Sequence, residues 1–140
     1  MEKFPNQVTG NIGLYYVCYE LSKLGWNVLP TSRNTKGVDA IIYSQDGSKT
    51  HTLQIKALTS SAPVPFGNNI KNMIAEFVVI CRNVREDKPE IFVATASEVF
   101  ENIHKGVKDG KVSYWLQPKN YESFRNKWEK IGKGFDKNEN

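Results

Sequence analysis

Histidine and cysteine, the usual builders of metal centres and covalent catalytic sites, are scarce here, with two of each in 140 residues. Cys18 and Cys81 form no CxxC pair and have no histidine at zinc-ligand spacing, so a structural zinc site is excluded. Each lies in an apolar run, Tyr16-Val17-Cys18-Tyr19 and Val79-Ile80-Cys81-Arg82, and both are expected to be buried, reduced thiols. Neither His51 nor His104 has a nucleophile and carboxylate with which to build a Ser/His or Cys/His triad. His51 reads as structural or exposed, and His104 as a cation complementing the end of a Lys-rich helix. The glycines at Gly10 and Gly13 lack the Gly-Lys-Ser/Thr ending of a phosphate loop. Long apolar runs are missing as well: nothing reads as a membrane span, and the start, Met1 to Asn6, does not resemble a signal peptide. A cytoplasmic location is therefore expected. There is no internal repeat and no low-complexity block.

Charge of neither sign dominates. Lys and Arg number 19 against 15 Asp and Glu, a net charge of +4 that permits a polyanionic partner without requiring one. The length suits a single domain, placed at residues 1–131, followed by a frayed, disordered tail over 132–140. Apolar residues at Leu14, Val17, Cys18, Leu21 and Leu24 predict a helix from Gln7 to Leu24, capped by Asn6 or Thr9 and stopped by Gly25. Short strands are predicted at Trp26–Leu29 and Val38–Tyr43. The turn cluster Gln45-Asp46-Gly47-Ser48 joins the second of these to a strand over Thr50–Ala57, making a hairpin. Ala62–Asn72 reads as an irregular loop, and strands follow at Phe77–Asn83 and Glu90–Ala94. A helix from a Ser97 cap to Lys108, a strand at Val112–Leu116 and a last helix from Pro118 to Ile131 complete the order. This is an α/β architecture, a mixed β-sheet flanked by helices.

The chemistry gathers in the hairpin. Alternate side chains of a strand face opposite ways, so Leu53, Ile55 and Ala57 share a core face while Thr52, Gln54 and Lys56 share the other. Gln and Lys in a strand that should be covered on both sides need a partner or a cleft. Asp39 stands just before the apolar run Ala40-Ile41-Ile42, where a carboxylate is costly unless paired or metal-bound. Hairpin geometry brings Asp39 to Gln54–Lys56. Mg²⁺ takes oxygen ligands, which the Asp39 carboxylate, the Gln54 side-chain oxygen and the Ile55 carbonyl supply. Lys56 is placed to orient a water or to stabilise charge on phosphorus.

Gly37-Val38-Asp39 followed fifteen residues later by Gln54-x-Lys56 resembles the PD-(D/E)XK nuclease superfamily in its Gln-x-Lys variant. It is similar at this point to Mrr-type restriction endonucleases. The preceding helix ending at glycine, short strand and loop resemble archaeal Holliday junction resolvases. The likeness spans about Gly10 to Ala57. It implies a restriction-endonuclease-like core and a DNA endonuclease, with Asp39, Gln54 and Lys56 catalytic, Mg²⁺ or Mn²⁺ on Asp39, Gln54 and Ile55, and a homodimer as the assembly. Two positions depart from the pattern. Gln54 stands where the family commonly has an acid, and the helix motif Gly-x-x-x-Glu has Leu14 at its acid position, with Glu20 nearly two turns further on. An alternative therefore stays open, a catalytically inactive nuclease-fold protein serving as a nucleic-acid-binding or immunity-type module.

Other residues read more plainly. Glu20 is expected to be solvated. Arg33 and Lys36, just before Gly37, suit phosphate contact. Tyr15, Tyr16, Tyr19 and Trp26 read as core or as a dimer surface, and Lys119, Arg125, Lys127, Lys130 and Lys133 as an exposed basic side of the last helix.

Overall fold

A repeat of four along Thr9, Gly13, Val17 and Leu21 gives the first helix, α1 (Asn6–Lys23), its buried side. Neither expected side-chain cap is used. Pro5 holds the N-cap position, where a fixed φ leads the chain into the helix without a donor. At the other end Gly25 has φ +91°, and the N–H groups of Leu24, Gly25 and Trp26 turn back to carbonyls of Glu20, Leu21 and Ser22. These are features of a computed structural model that describes residues 3–32 and 37–135.

The strands that follow are β1 (Asn27–Pro30), β2 (Ala40–Tyr43), β3 (Thr50–Leu58), β4 (Val64–Pro65), β5 (Phe77–Arg82) and β6 (Glu90–Thr95). Then come α2 (Ala96–Asn102), β7 (His104–Lys108), β8 (Lys111–Leu116) and α3 (Pro118–Tyr121). Five strands form a sheet in the order β1-β2-β3-β5-β6, and β4-β8-β7 form a second, smaller one. The larger sheet is mixed, because β3 and β5 are parallel while its other pairs are antiparallel. Every residue of the interior strand β5 is buried, as a strand covered on both faces requires. Its odd residues Phe77, Val79 and Cys81 join Val17, Leu21 and Leu53 beneath α1. Its even residues Val78 and Ile80 join Val64, Phe92, Leu116 and Tyr121 on the opposite side.

The hairpin and α1 follow the sequence expectations, while the later elements differ. The helix expected from Ser97 to Lys108 is capped instead by Thr95, which exchanges a capping box with Glu98, and it stops at Asn102. His104–Lys108 is strand β7, paired with β8, so His104 complements no helix end. Its Nε2 lies 2.9 Å from Asn120 Oδ1, and its ring stacks on Trp115. The expected helix from Pro118 to Ile131 breaks into α3 and two short 3₁₀ turns, Glu122–Phe124 and Trp128–Lys130. The break is tertiary: Arg125 bridges to Phe92, and Asn126 adopts φ +54° while its N–H donates to the Ile91 carbonyl. The segment expected as loop also contains β4.

Gly132 to Phe135, assigned from sequence to a frayed tail, are tied to the body. The Gly132 carbonyl accepts from Trp26 Nε1 at 3.0 Å, and Gly134 bonds both Leu24 and Gln45 through its backbone. Residues 136–140 of that tail lie outside the described residues. Cys81 is buried and Cys18 half-buried, both free; burial pushes the Cys81 thiol up to about 12. Among the described residues no helix is long and apolar enough to cross a membrane.

One ion network fastens β5, β6 and the C-terminal turns. Glu90 accepts from Arg82 Nε at 2.8 Å, from Arg125 Nη1 at 2.9 Å and from Asn83 Nδ2 at 2.6 Å. Arg82 also stacks over the Phe92 ring. The Arg82 hydrogen bond, assisted by those from Arg125 and Asn83, lowers the Glu90 carboxyl from 4.5 to about 2. Because the folded value is the lower one, this stabilisation is present above pH 4.5 and is lost as the pH falls through about 2. Glu90→Gln is expected to cost roughly 2 kcal/mol at pH 7. In urea melts the gap between wild type and variant should close as the pH is lowered through that window.

Candidate active site

β2 and β3 pair from Tyr43↔Thr50 to Ala40↔Leu53 and then part. Asp39 stands at the parting. Its N–H donates to the Leu53 carbonyl at 2.8 Å, and its Oδ2 accepts the Ile55 N–H at 2.7 Å. The N–H and C=O of one strand residue point the same way, so the Ile55 carbonyl also faces the gap that β2 vacates. The carboxylate thus replaces a backbone partner at the end of the ladder and meets a second oxygen there.

The chain is pinned on either side of Asp39. Thr31 N–H donates to the Asp39 carbonyl at 2.9 Å, and Thr31 Oγ1 donates to the Val38 carbonyl at 2.6 Å. Gly37 has φ +74°, and a Cβ there would lie 2.5 Å from the Asn72 carbonyl, so the glycine before Val38-Asp39 has a steric cause. On the helix side, Gly13 lets α1 lie against β3, where a Cβ would come 2.5 Å from Ala57 Cβ.

A cleft of about 240 Å³ opens between α1 and the parted strands. Asp39, Ile55 and Thr31 line it from the sheet side, and Gln7, Gly10, Asn11 and Leu14 from the helix. Leu14 shares this cleft with Asp39 and brings an apolar side chain to it. Glu20 is not among the cleft residues; it pairs with Lys23 at 3.5 Å.

Gln54 and Lys56 occupy the other face of β3. Gln54 lines a neighbouring cavity of about 260 Å³ with Gly37, Phe66, Asn72 and Met73. Its Oε1 is buried with no hydrogen-bond donor, the one such side-chain atom among the described residues. An acceptor in that state is costly unless something else takes its lone pairs. Lys56 Nζ lies 4.9 Å from the centre of the Phe66 ring. Burial lowers the Lys56 ammonium below its ordinary range, and the attraction of Asp39 opposes that shift.

The donor set can be weighed from these positions. Among the described residues no three His, Cys, Asp or Glu side chains cluster to hold a metal ion. Available instead are one carboxylate, one backbone carbonyl and one orphaned amide oxygen. All three are hard oxygen donors, and a single carboxylate with open positions suits Mg²⁺, which keeps several waters and shares substrate phosphates. The residues fit such an ion in donor chemistry, with Asp39 and Ile55 lining one cleft and Gln54 a neighbouring cavity on the other face of β3.

The remaining expectations fall in different places. Arg33 and Lys36 lie outside the described residues. His51 is structural: Nδ1 lies 2.9 Å from Glu76 Oε2, and the ring packs edge-on against Trp26 and Phe77. Of the aromatics, Trp26 is buried and Tyr16 half-buried, while Tyr15 and Tyr19 are exposed. Lys130 is no free surface cation, since it bonds both Glu98 oxygens and the Val93 carbonyl, and Arg125 is paired with Glu90 and Glu122. Sequence reasoning missed Gln7 and Asn11, although their spacing from Leu14 puts them on one helix side. It also missed Phe66, for which the Pro65-Phe66-Gly67 segment carries no signal.

No family model and no curated protein matches this sequence. Solved structures do. The chain superposes on the bacterial homing endonuclease I-Ssp6803I with a TM-score of 0.61 at 14% identity, covering 91% of this chain and 93% of that one. It superposes on Hjc, a Holliday junction resolvase from the archaeal hyperthermophile Archaeoglobus fulgidus, with a TM-score of 0.59 at 12% identity, covering 84% of this chain and 99% of that one. At such identities the likeness is one of fold. The restriction-endonuclease-like core expected from the hairpin residues, and resembled through the PD-(D/E)XK nucleases and archaeal resolvases, is the fold this chain has.

Proposed function

We propose that this protein is a Mg²⁺- or Mn²⁺-dependent endonuclease hydrolysing DNA phosphodiester bonds at the parting of β2 and β3. The observation that carries the reading is the Asp39 carboxylate held on the Ile55 N–H at 2.7 Å, within electrostatic reach of the half-buried Lys56. Asp39, the Ile55 carbonyl and Gln54 would hold the ion, and the orphaned Oε1 of Gln54 supports the last of these. Once bound, a divalent ion supplies charge neutralisation at phosphorus and a more acidic coordinated water.

The protein's own groups do the rest. Asp39 fixes the position of that charge relative to the sheet. Lys56 donates to the attacking water or to a phosphate oxygen, where a cation in a water-poor site stabilises developing negative charge. Arg33 and Lys36 precede this point in the chain and suit neighbouring phosphates. With an amide at Gln54 and Leu14 in the cleft, one full carboxylate serves the ion, so metal affinity is low and substrate phosphate completes the site. The names of the two similar structures, a homing endonuclease and a Holliday junction resolvase, support DNA as the substrate. The nuclease domain, expected over residues 1–131, runs on through Phe135, because Gly132 and Gly134 bond back to Trp26, Leu24 and Gln45; its setting is cytoplasmic, where nucleic acid is available. Tyr15 and Tyr19, 64% and 59% exposed on α1, offer the surface on which two copies would meet to cut two strands.

The purified protein, incubated with supercoiled plasmid and with four-way junction DNA, is expected to cleave at least one of them in Mg²⁺ or Mn²⁺. Chelation with EDTA should remove the cleavage completely, and added metal should restore it. Intact substrates in both metals, or cleavage indifferent to EDTA, would contradict the proposal.

A further inference from the structure

The second sheet has a use that the hairpin does not explain. β4 pairs with β8 through Val64↔Leu116 and Pro65↔Trp115. The pairing continues past the strand, because Phe66 N–H donates to the Tyr114 carbonyl and Tyr114 N–H to the Gly67 carbonyl, both at 2.9 Å. The backbone on either side of Phe66 is thus fixed to β8. Its side chain is 8% exposed and packs in the core shared by Val64, Met73, Ile80 and Leu116. The ring lies 4.9 Å from Lys56 Nζ and lines the same cavity as Gln54.

A lysine carries four rotatable bonds and spends little time in any one geometry unless something holds its head group. A ring face attracts an ammonium most strongly where water is scarce. We infer that Phe66 is a positioning residue for Lys56, with the smaller sheet holding the ring so that the ammonium stays at the mouth of the β2–β3 hairpin. The inference rests on the role proposed for Lys56. It gives the β4-β8-β7 sheet a part in the reaction, though it supplies no group that touches substrate.

The test uses the full chain with Phe66→Leu and Phe66→Tyr, and Phe66→Met as a second apolar replacement should the leucine variant not fold. With ¹³C-labelled lysine, the ε-CH₂ signal of Lys56, assigned by its loss in Lys56→Arg, is expected to be shifted upfield by the ring. The shift should persist in Phe66→Tyr and vanish in Phe66→Leu, with the other lysine signals unmoved. In single-turnover cleavage, Phe66→Leu should slow the chemical step about tenfold with little change in KM, and Phe66→Tyr should stay within about twofold of wild type. A Lys56 signal with no ring shift in the wild type overturns the inference, as does a folded Phe66→Leu protein that cleaves at the wild-type rate. If the shift behaves as expected and no variant, wild type included, cleaves DNA, the contact stands and the nuclease reading falls.

Discussion

Lys56→Ala is expected to abolish metal-dependent cleavage, with a fall of at least about 100-fold in single-turnover rate. The size of the effect follows from the surroundings. Lys56 is half-buried beside Phe66 and feels the charge of Asp39, so its ammonium acts where the effective dielectric is lowered and a charge–charge contact is worth more than in water. The same surroundings make the substitution mild for folding. Burial disfavours the charged form, and removing the ammonium relieves that cost while leaving a void beneath the ring. Thermal stability is therefore expected to change little. The variant should still bind Mn²⁺, since none of the three oxygen donors is touched. Cleavage that survives Lys56→Ala unchanged would remove the assignment.

Asp39→Asn should separate chemistry from architecture. Asparagine is the same shape and retains an oxygen that can accept the Ile55 N–H, so the hairpin mouth is expected to close as before. Only the charge is gone. With one carboxylate serving the ion, its loss should weaken Mn²⁺ binding beyond calorimetric detection and take cleavage down with it, again by at least about 100-fold. Asp39→Ala should do the same to activity and add a folding cost of about 1–2 kcal/mol, because the Ile55 N–H then lacks its acceptor. A stable Asp39→Asn protein that binds Mn²⁺ as the wild type does would place the metal elsewhere.

The contrast between the two halves of the chain is instructive. The hairpin was legible because its signals are local: a turn cluster at Gln45–Ser48, alternation along β3, and a glycine and carboxylate just before an apolar run. Helix α1 was legible from spacing, and Leu14 falls in the cleft where its motif position implies. In the smaller sheet the β7–β8 pair is a local hairpin, turned at Asp109-Gly110 with φ of +53° and +76°, and the helix reading of Ser97–Lys108 overlooks that signal; only the pairing of β4 with β8 is long-range. His104–Lys108 extends a helix-like stretch in sequence, yet it becomes β7 by pairing with β8, where Trp115 covers Gly106 so closely that a Cβ there would lie 2.8 Å from the ring. The last helix fails for a long-range reason, at Asn126, whose N–H is claimed by Ile91 on β6. The polar row of β3 calls for a cleft, and Gln54 lines one, whereas nothing local to Phe66 marks it as part of the wall.

The measurement that bears most directly on the central claim is a crystal structure of the protein soaked in Mn²⁺, with the ion located by its anomalous scattering. The expected peak sits about 2.1 Å from an Asp39 carboxylate oxygen and from the Ile55 carbonyl, within the parting of β2 and β3 and with water filling its open positions. A Mn²⁺ ion bound elsewhere, or none at this point at millimolar metal, would contradict the account.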